Sequence, residues 1–133
     1  MSICKSYNLK QLGDDRGSLV ALDKESVLPF EIKRAYYLLN TKPGVTRGFH
    51  AHKELHQMAV CISGSCRMVL DDGVERECVV MDSSIVGIDL PPMLWHEMHN
   101  FSDDCVLLVV ASDYYDENDY IRDYEQFKAV KIT

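Results

Sequence analysis

The sequence predicts an all-β protein, a sandwich or barrel, and three observations predict it. Most of the 133-residue chain reads as short strand-like runs together with the turn residues between them. Turn residues separate these runs at roughly 8–12-residue intervals, the spacing of all-β folds. Helical periodicity is nearly absent until the C-terminal end.

In order, the runs are Leu19–Asp23, Ile32–Leu39, Thr46–His52, His56–Ser63, Cys66–Leu70, Glu75–Val80, Ser84–Leu90, Trp95–Asn100 and Cys105–Ala111. Asp14-Asp15-Arg16-Gly17, Lys42-Pro43-Gly44, Ser63-Gly64-Ser65, Asp71-Asp72-Gly73 and Pro91-Pro92 punctuate them. Asp72-Gly73 between two such runs is a hairpin signal. Met58-Ala59-Val60-Cys61-Ile62 is almost wholly apolar, as a strand buried on both faces should be. Residues 32–39 offer Arg34 and Tyr36 on one face and Lys33 and Tyr37 on the other. The first pair is assigned to the interior, and a one-residue slip would substitute Tyr37. Asn118–Lys128 alone reads as helical. No linker or repeat interrupts the chain, so residues 1–133 are expected to form one domain.

Hydrophobic residues make up 47% and charged residues 26%, ordinary values for a soluble globular protein. No apolar run approaches the roughly 20 residues of a membrane span. Met1-Ser2-Ile3-Cys4-Lys5 lacks the apolar core of a signal peptide, so a cytoplasmic location is expected. Cys4, Cys61, Cys66, Cys78 and Cys105 include no Cys-x-x-Cys pair and read as free, mostly buried packing thiols in a reducing compartment, not a disulfide frame or zinc knuckle. The net charge of −7 argues against nucleic acid as partner but not against a small anion held by inward-facing arginines.

The run Arg47-Gly48-Phe49-His50-Ala51-His52 carries the most chemistry. In an extended segment His50 and His52 share a face, with Phe49 and Ala51 opposite. Two imidazoles and a nearby guanidinium can hold a metal, move a proton or clamp an anion.

Two blocks decide the fold type. Gly44 is followed by five residues, His50-Ala51-His52, four residues, Gln57, six residues and Gly64. Pro91, His96 and Asn100 form the second, with Met93 at a position where glycine is usual. Together they resemble the cupin signature, which implies a double-stranded β-helix, a jelly-roll barrel with a pocket at one mouth. Cupin metal sites use three histidines and a carboxylate, and Gln57 stands where the carboxylate should be. His50, His52 and His96, with His56 as a fourth donor, remain a candidate metal set, as in a metal-dependent cupin dioxygenase or isomerase. Proton transfer is the other reading, and a non-catalytic sugar-nucleotide binder a third. The run Arg-Gly-x-His also occurs in metal-free cupin epimerases of deoxysugar biosynthesis, and Arg47 supplies the donor fork that suits phosphate.

Longer runs are more specific. Asp15-Arg16-Gly17-Ser18-Leu19-Val20, Ile32-Lys33-Arg34-Ala35-Tyr36-Tyr37, Arg47 to His52, Trp95-His96-Glu97-Met98-His99 and Ala111-Ser112-Asp113-Tyr114-Tyr115-Asp116 resemble the sugar 3,4-ketoisomerases acting on dTDP-4-keto-6-deoxyglucose, from about Arg16 to Phe127. The resemblance implies a metal-independent isomerase without cofactor that moves a ketone from C4 to C3 of a dTDP-linked 4-keto-6-deoxyhexose. It also implies a homodimer with N-terminal strand exchange. His50 and His52 are the expected proton-handling pair, with Tyr36 assisting, and which histidine contacts carbon stays open. Arg47, Arg16, Arg34 and His96 are the expected substrate-binding residues. Arg16 with His96 resembles the type that gives the axial, galacto 4-hydroxyl. A 3-keto product implies an aminotransferase downstream and a 3-amino-3,6-dideoxyhexose in a surface polysaccharide. Trp95 is read as core, His99 as structural, and Tyr114, Tyr115, Tyr120 and Tyr124 as packing for the C-terminal segment.

Overall fold

A computed structural model describes residues 2–25 and 27–132; Met1, Ser26 and Thr133 lie outside the described residues. In chain order the strands are β1 (Ser6–Asn8), β2 (Gln11–Asp14), β3 (Gly17–Val20), β4 (Arg34–Leu38), β5 (Arg47–His52), β6 (Gln57–Ser63), β7 (Cys66–Asp71), β8 (Arg76–Met81), β9 (Val86–Leu90), β10 (Trp95–His99), β11 (Val106–Ala111) and β12 (Tyr120–Ile121), followed by helix α1 (Tyr124–Ile132). One sheet has the order β1-β9-β6-β11-β4, the other β12-β5-β10-β7-β8, and β2-β3 is a separate hairpin. Every pairing in the two large sheets is antiparallel. From β5 onward the chain passes repeatedly between the two sheets, and this is the cupin double-stranded β-helix. Among the described residues no helix is long and apolar enough to cross a membrane.

Strand alternation sorts the side chains into layers. Between the sheets lie Ala59 and Cys61 of β6, Met68 and Leu70 of β7, Ile88 and Leu90 of β9, Met98 of β10, and Leu107 and Val109 of β11, all buried. The opposite face of β6 carries Met58 and Val60, covered by Leu9, Leu28 and Phe30. The strand is thus buried on both faces, as its apolar run requires. The outer face of the second sheet is covered in turn by the C-terminal segment, where Ile121 and Phe127 pack with Ala51 and Trp95. The parity of β4 also follows the sequence, with Tyr36 half-buried inside and Tyr37 61% exposed.

The strand runs from Ile32 onward are found within a residue or two of their expected bounds. Two expectations are corrected. The run Leu19–Asp23 is displaced: the strand is Gly17–Val20, hairpinned to Gln11–Asp14 around the turn at Asp15-Arg16. The helix expected over Asn118–Lys128 is a 3₁₀ turn (Glu117–Asp119), then β12, then α1. Tertiary bonding overrides helical propensity there. Tyr120 and Ile121 pair with His52 and Ala51, and the helix begins only after Asp123, whose side chain accepts from Gln126 N at 3.1 Å.

The feature that shapes β5 is a bulge. Against β10, His50 faces His96 but Gly48 faces Glu97, so Phe49 is an extra residue. Gly48 has φ +87° and Phe49 φ +60°. A Cβ at Gly48 would stand 3.0 Å from the His96 carbonyl oxygen and 3.3 Å from Glu97 Cα, both backbone atoms that cannot swing aside. Across the sheet mouth Met93, where cupins usually have glycine, holds the left-handed conformation at φ +60°. Its amide donates to the His52 carbonyl at 2.7 Å, tying the 91–94 turn to the end of β5. Replacing Gly48 by alanine is therefore expected to destabilise the protein by about 1–3 kcal/mol, read as a lower urea midpoint. An unchanged midpoint would show that the bulge relaxes without strain.

Candidate functional site

At one mouth of the barrel the inward positions change from aliphatic to polar. β4 contributes Arg34 and Tyr36, β5 His50 and His52, β6 Gln57, and β10 His96. The imidazole centroids of His50 lie 5.0 Å from His52 and 4.6 Å from His96, and His52 to His96 is 6.2 Å. The expected pairing of His50 and His52 on one face is thus found. Tyr120 of β12 closes the group, 4.8 Å from His50 and 4.3 Å from His52.

Each imidazole has its Nδ1 engaged. His50 Nδ1 donates to the Gly48 carbonyl (3.1 Å), His96 Nδ1 to the Leu94 carbonyl (3.4 Å) and His52 Nδ1 to an Asp119 carboxylate oxygen (3.1 Å). With the proton held on Nδ1, the Nε2 of each ring is a bare lone pair. The Nε2 atoms of His52 and His96 are buried without a hydrogen-bond partner. Burial, reinforced by the neighbouring His52, pulls the His50 pKa down to about 4. Burial and then His50 and His52 pull His96 down to about 3. Burial also lowers His52, though the Asp119 charge opposes it. All three rings are neutral bases near pH 7.

Gln57 is fully buried and its Nε2 donates to Tyr36 Oη at 2.9 Å. Burial raises the Tyr36 pKa, so the phenol stays protonated, with its own O–H free to donate elsewhere. Arg34 packs its guanidinium 5.0 Å over the Tyr36 ring, and its Nε has no partner.

These side chains open onto a cavity of about 520 Å³ whose lining includes Arg34, Tyr36, Arg47, His50, Tyr120 and Arg122. A smaller cavity of about 100 Å³ adjoins it through Arg34 and Tyr120 and is lined in part by His52. Of the expected residues, Arg34, Tyr36, Arg47 and His50 therefore meet in the large cavity, with His52 beside it. His96 is only 1% exposed, packed edge-on against His50, and lines neither cavity. Arg16 is not brought to the site within one chain. Its side chain is 87% exposed on the β2–β3 hairpin and pairs with Asp14 at 2.6 Å, because that hairpin joins neither large sheet.

Sequence reading missed several contributors. Asp119 orients His52 and also accepts from the amides of Glu54 (2.9 Å) and Leu55 (3.2 Å). Tyr120, read as packing, lies against both imidazoles. Arg122 sits 4.2 Å over the Tyr120 ring and is held by Glu117. Their signal was the aromatic and charged density of the last twenty or so residues, which a helix assignment obscured. Trp95 is core, as expected, with Nε1 donating to Glu97 Oε2 at 2.9 Å. His99 donates to the same carboxylate, and His56 bonds Asp89 on the far side of β6.

Comparison with known proteins gives a consistent picture. The family model FdtA (WxcM-like, C-terminal) matches residues 2–132. The TDP-4-oxo-6-deoxy-α-D-glucose 3,4-oxoisomerase of Aneurinibacillus thermoaerophilus is 55% identical over 124 residues, covering 93% of this chain and 89% of that protein. The crystal structure of a 3,4-ketoisomerase from Helicobacter canadensis superimposes with a TM-score of 0.94 at 44% identity, covering all of both chains. QdtA, a sugar 3,4-ketoisomerase from Thermoanaerobacterium thermosaccharolyticum solved in complex with TDP, gives 0.93 at 37% identity, covering 97% of this chain and 94% of that one.

The depressed imidazoles make stability depend on pH. Between pH 6.5 and 5 the unfolded chain takes up protons at His50 and His96 and the native protein does not. Stability therefore falls as pH falls, by up to about 1.4 kcal/mol per pH unit for each histidine, and the effect is absent above about pH 7. Carboxylates contribute mainly below this window. Urea unfolding at pH 7, 6 and 5 reads the slope, and His96→Gln should lose part of it. Equal slopes in the two proteins would remove His96 from the account.

Proposed function

We propose, from the premise that the chain belongs to the FdtA family and is a 3,4-ketoisomerase, that it converts dTDP-4-keto-6-deoxy-D-glucose to a dTDP-3-keto-6-deoxyhexose by proton transfer through an enediol. The observation that carries the mechanism is the uniform tautomer of the pocket imidazoles, each Nδ1 tied to an acceptor and each Nε2 bare. Moving the carbonyl removes a proton from C3, places one on O4, removes one from O3 and delivers one to C4. The substrate's redox state is unchanged, so no nicotinamide is required. His50 lines the large cavity and is the base for C3–H; His52, oriented by Asp119, relays the proton between oxygens. Tyr36 donates its O–H to the developing oxyanion, since its oxygen already accepts from Gln57.

The cupin metal does not fit these residues. Gln57 is neutral and supplies none of the carboxylate charge that helps hold a cation; its Nε2 donates to Tyr36. Among the described residues, only Cys61, Cys66 and Cys105 form a group of three or more His, Cys, Asp or Glu side chains with ligand atoms within 4.8 Å of one another, so the imidazole nitrogens do not converge on one point. The mechanism proposed here is metal-independent.

Arg47 and Arg34 hold the diphosphate at the mouth, supported by their place in the lining and by the absence of Asp or Glu from it. Arg16 meets substrate only from a second copy, in a homodimer that exchanges N-terminal hairpins. Leu12 and Leu19, 50% and 58% exposed on that hairpin, support it. A mass of one chain by light scattering would overturn the dimer. Arg16 with His96 favours the galacto product, and an equatorial 4-hydroxyl by NMR would refute that. The 3-keto product suits an aminotransferase leading to a 3-amino-3,6-dideoxyhexose of a surface polysaccharide. Coupled conversion by such an enzyme tests this, and a product inert to amination would exclude it. The nucleotide-linked substrate makes the cytoplasm the expected compartment, which fractionation checks: recovery of the protein outside the cytoplasmic fraction would contradict it.

Turnover of dTDP-4-keto-6-deoxyglucose followed by product NMR, with and without chelator, is the central test. A 3-keto product at equal rates is expected, and a requirement for iron or manganese would sink the metal-free mechanism. His50→Asn and His52→Asn are each expected to lose at least about 10²-fold in kcat with dTDP affinity within a few-fold. Full activity would remove that residue from the mechanism. Arg47→Ala should chiefly weaken dTDP binding, and unchanged affinity would make the arginine structural.

A further inference from the structure

The inner face that carries imidazoles at one mouth carries thiols at the other. Cys61 is the last core position of β6, Cys66 opens β7 and Cys105 precedes β11. They are 1%, 1% and 2% exposed, and all are free thiols. Their Sγ atoms all lie within 4.8 Å of one another, with Cys61 to Cys105 at 3.9 Å. The Ser63 and Gly64 carbonyls accept from the Cys61 thiol at 3.2 and 3.4 Å. Gln57 and Cys61 are four residues apart on one strand, which sets the thiols about 13 Å along β6 from the pocket.

Isolated buried thiols are ordinary small core residues. Three from three different elements, meeting beside carbonyl oxygens, form a ligand set. A d10 ion bonded to three sulfurs at about 2.3 Å holds them about 4 Å apart, close to the Cys61–Cys105 separation. Charge selects among soft ions. A divalent ion with all three thiols ionised leaves one net negative charge in the core, whereas monovalent copper would leave two. We propose that Cys61, Cys66 and Cys105 form a closed site for one thiophilic divalent ion of the zinc–cadmium class, with the Ser63 or Gly64 carbonyl available as a fourth ligand. Each thiolate formed releases one proton, and nothing is oxidised or reduced. The ion staples the β6–β7 turn to the start of β11. That turn is already packed closely: a Cβ at Gly64 would fall 2.8 Å from Cys105 Cα. Burial raises the thiol pKa values of Cys61 and Cys66, so metal competes with protons and binding tightens as pH rises. The site is independent of the isomerase reading, and turnover reports on that separately.

The test uses the full chain without a histidine tag, reduced and titrated with cadmium, reading the ultraviolet thiolate-to-cadmium charge-transfer band, which imidazole ligands do not produce. Saturation at one ion per chain is expected, with tighter binding at higher pH and a thermal midpoint raised by about 5–10 °C. Cys105→Ala should lose both signals, while the double variant Cys4→Ser, Cys78→Ser keeps them. X-ray absorption on the loaded wild type, which needs no variant, should count three sulfur neighbours. No band even after refolding with cadmium, a band that survives Cys105→Ala, fewer than three sulfurs, or a Cys61–Cys105 disulfide in place of the metal would each overturn the proposal.

Discussion

Phe49 is the extra residue where β5 meets β10, and the candidate site depends on that insertion. Strict alternation would set Arg47, three positions from His50, on the opposite face. The bulge reverses the parity between them, so the guanidinium and the imidazole share one cavity. It also turns the Gly48 carbonyl toward His50 Nδ1, which fixes the tautomer. Only glycine satisfies both the positive φ and the 3.0 Å approach to the β10 backbone. A single backbone irregularity therefore sets the position of the Arg47 guanidinium and the protonation pattern of the His50 imidazole.

The second constraint is the neutrality of the interior. Three imidazoles packed this closely cannot all be charged, and burial with mutual repulsion keeps them as bases. A carboxylate at position 57 would reverse that balance, drawing positive charge into the group. Glutamine preserves neutrality and, by donating to Tyr36, leaves the phenol's own proton uncommitted. Asp119 is the exception, placed where its charge acts through His52 Nδ1 while its oxygens are shared with two backbone amides. The two pocket histidines therefore have unequal surroundings, as a division of labour between carbon and oxygen proton transfer requires.

Much of this was legible in the sequence because it rests on strand periodicity. The doubly buried β6, the inward parity of Arg34 and Tyr36, and the shared face of His50 and His52 all follow from alternation. Features that depend on one backbone departure or on distant partners were not legible. Nothing in Phe49 announces a left-handed residue, so the bulge was invisible. Asp119 and Tyr120 lie in a stretch compatible with a helix, and only their bonds to His52 of β5 make it a short turn and strand. The two strands of the N-terminal hairpin lack a buried face, so no apolar alternation marked their bounds. Cys61, Cys66 and Cys105 have no motif spacing, and it is the jelly-roll crossing that brings them together.

The remaining question is how a chain with 21 acidic and 14 basic residues presents a site to a diphosphate. At physiological ionic strength, charges more than about 8 Å apart are largely screened. The mouth, not the net charge of −7, therefore governs the encounter. The large cavity is lined by Arg34, Arg47 and Arg122 with no carboxylate, whereas the small one beside it carries Glu54, Asp113, Asp116 and Asp119. Arg122 is largely offset by Glu117, which leaves Arg34 and Arg47 as the lining's net positive pair. On the proposed function, a diphosphate is drawn to the large cavity and repelled from the small one. With the phosphates at the arginines, the attached sugar has the inner wall to occupy, where His50 and Tyr36 stand. The same gradient that admits the ligand also orients it.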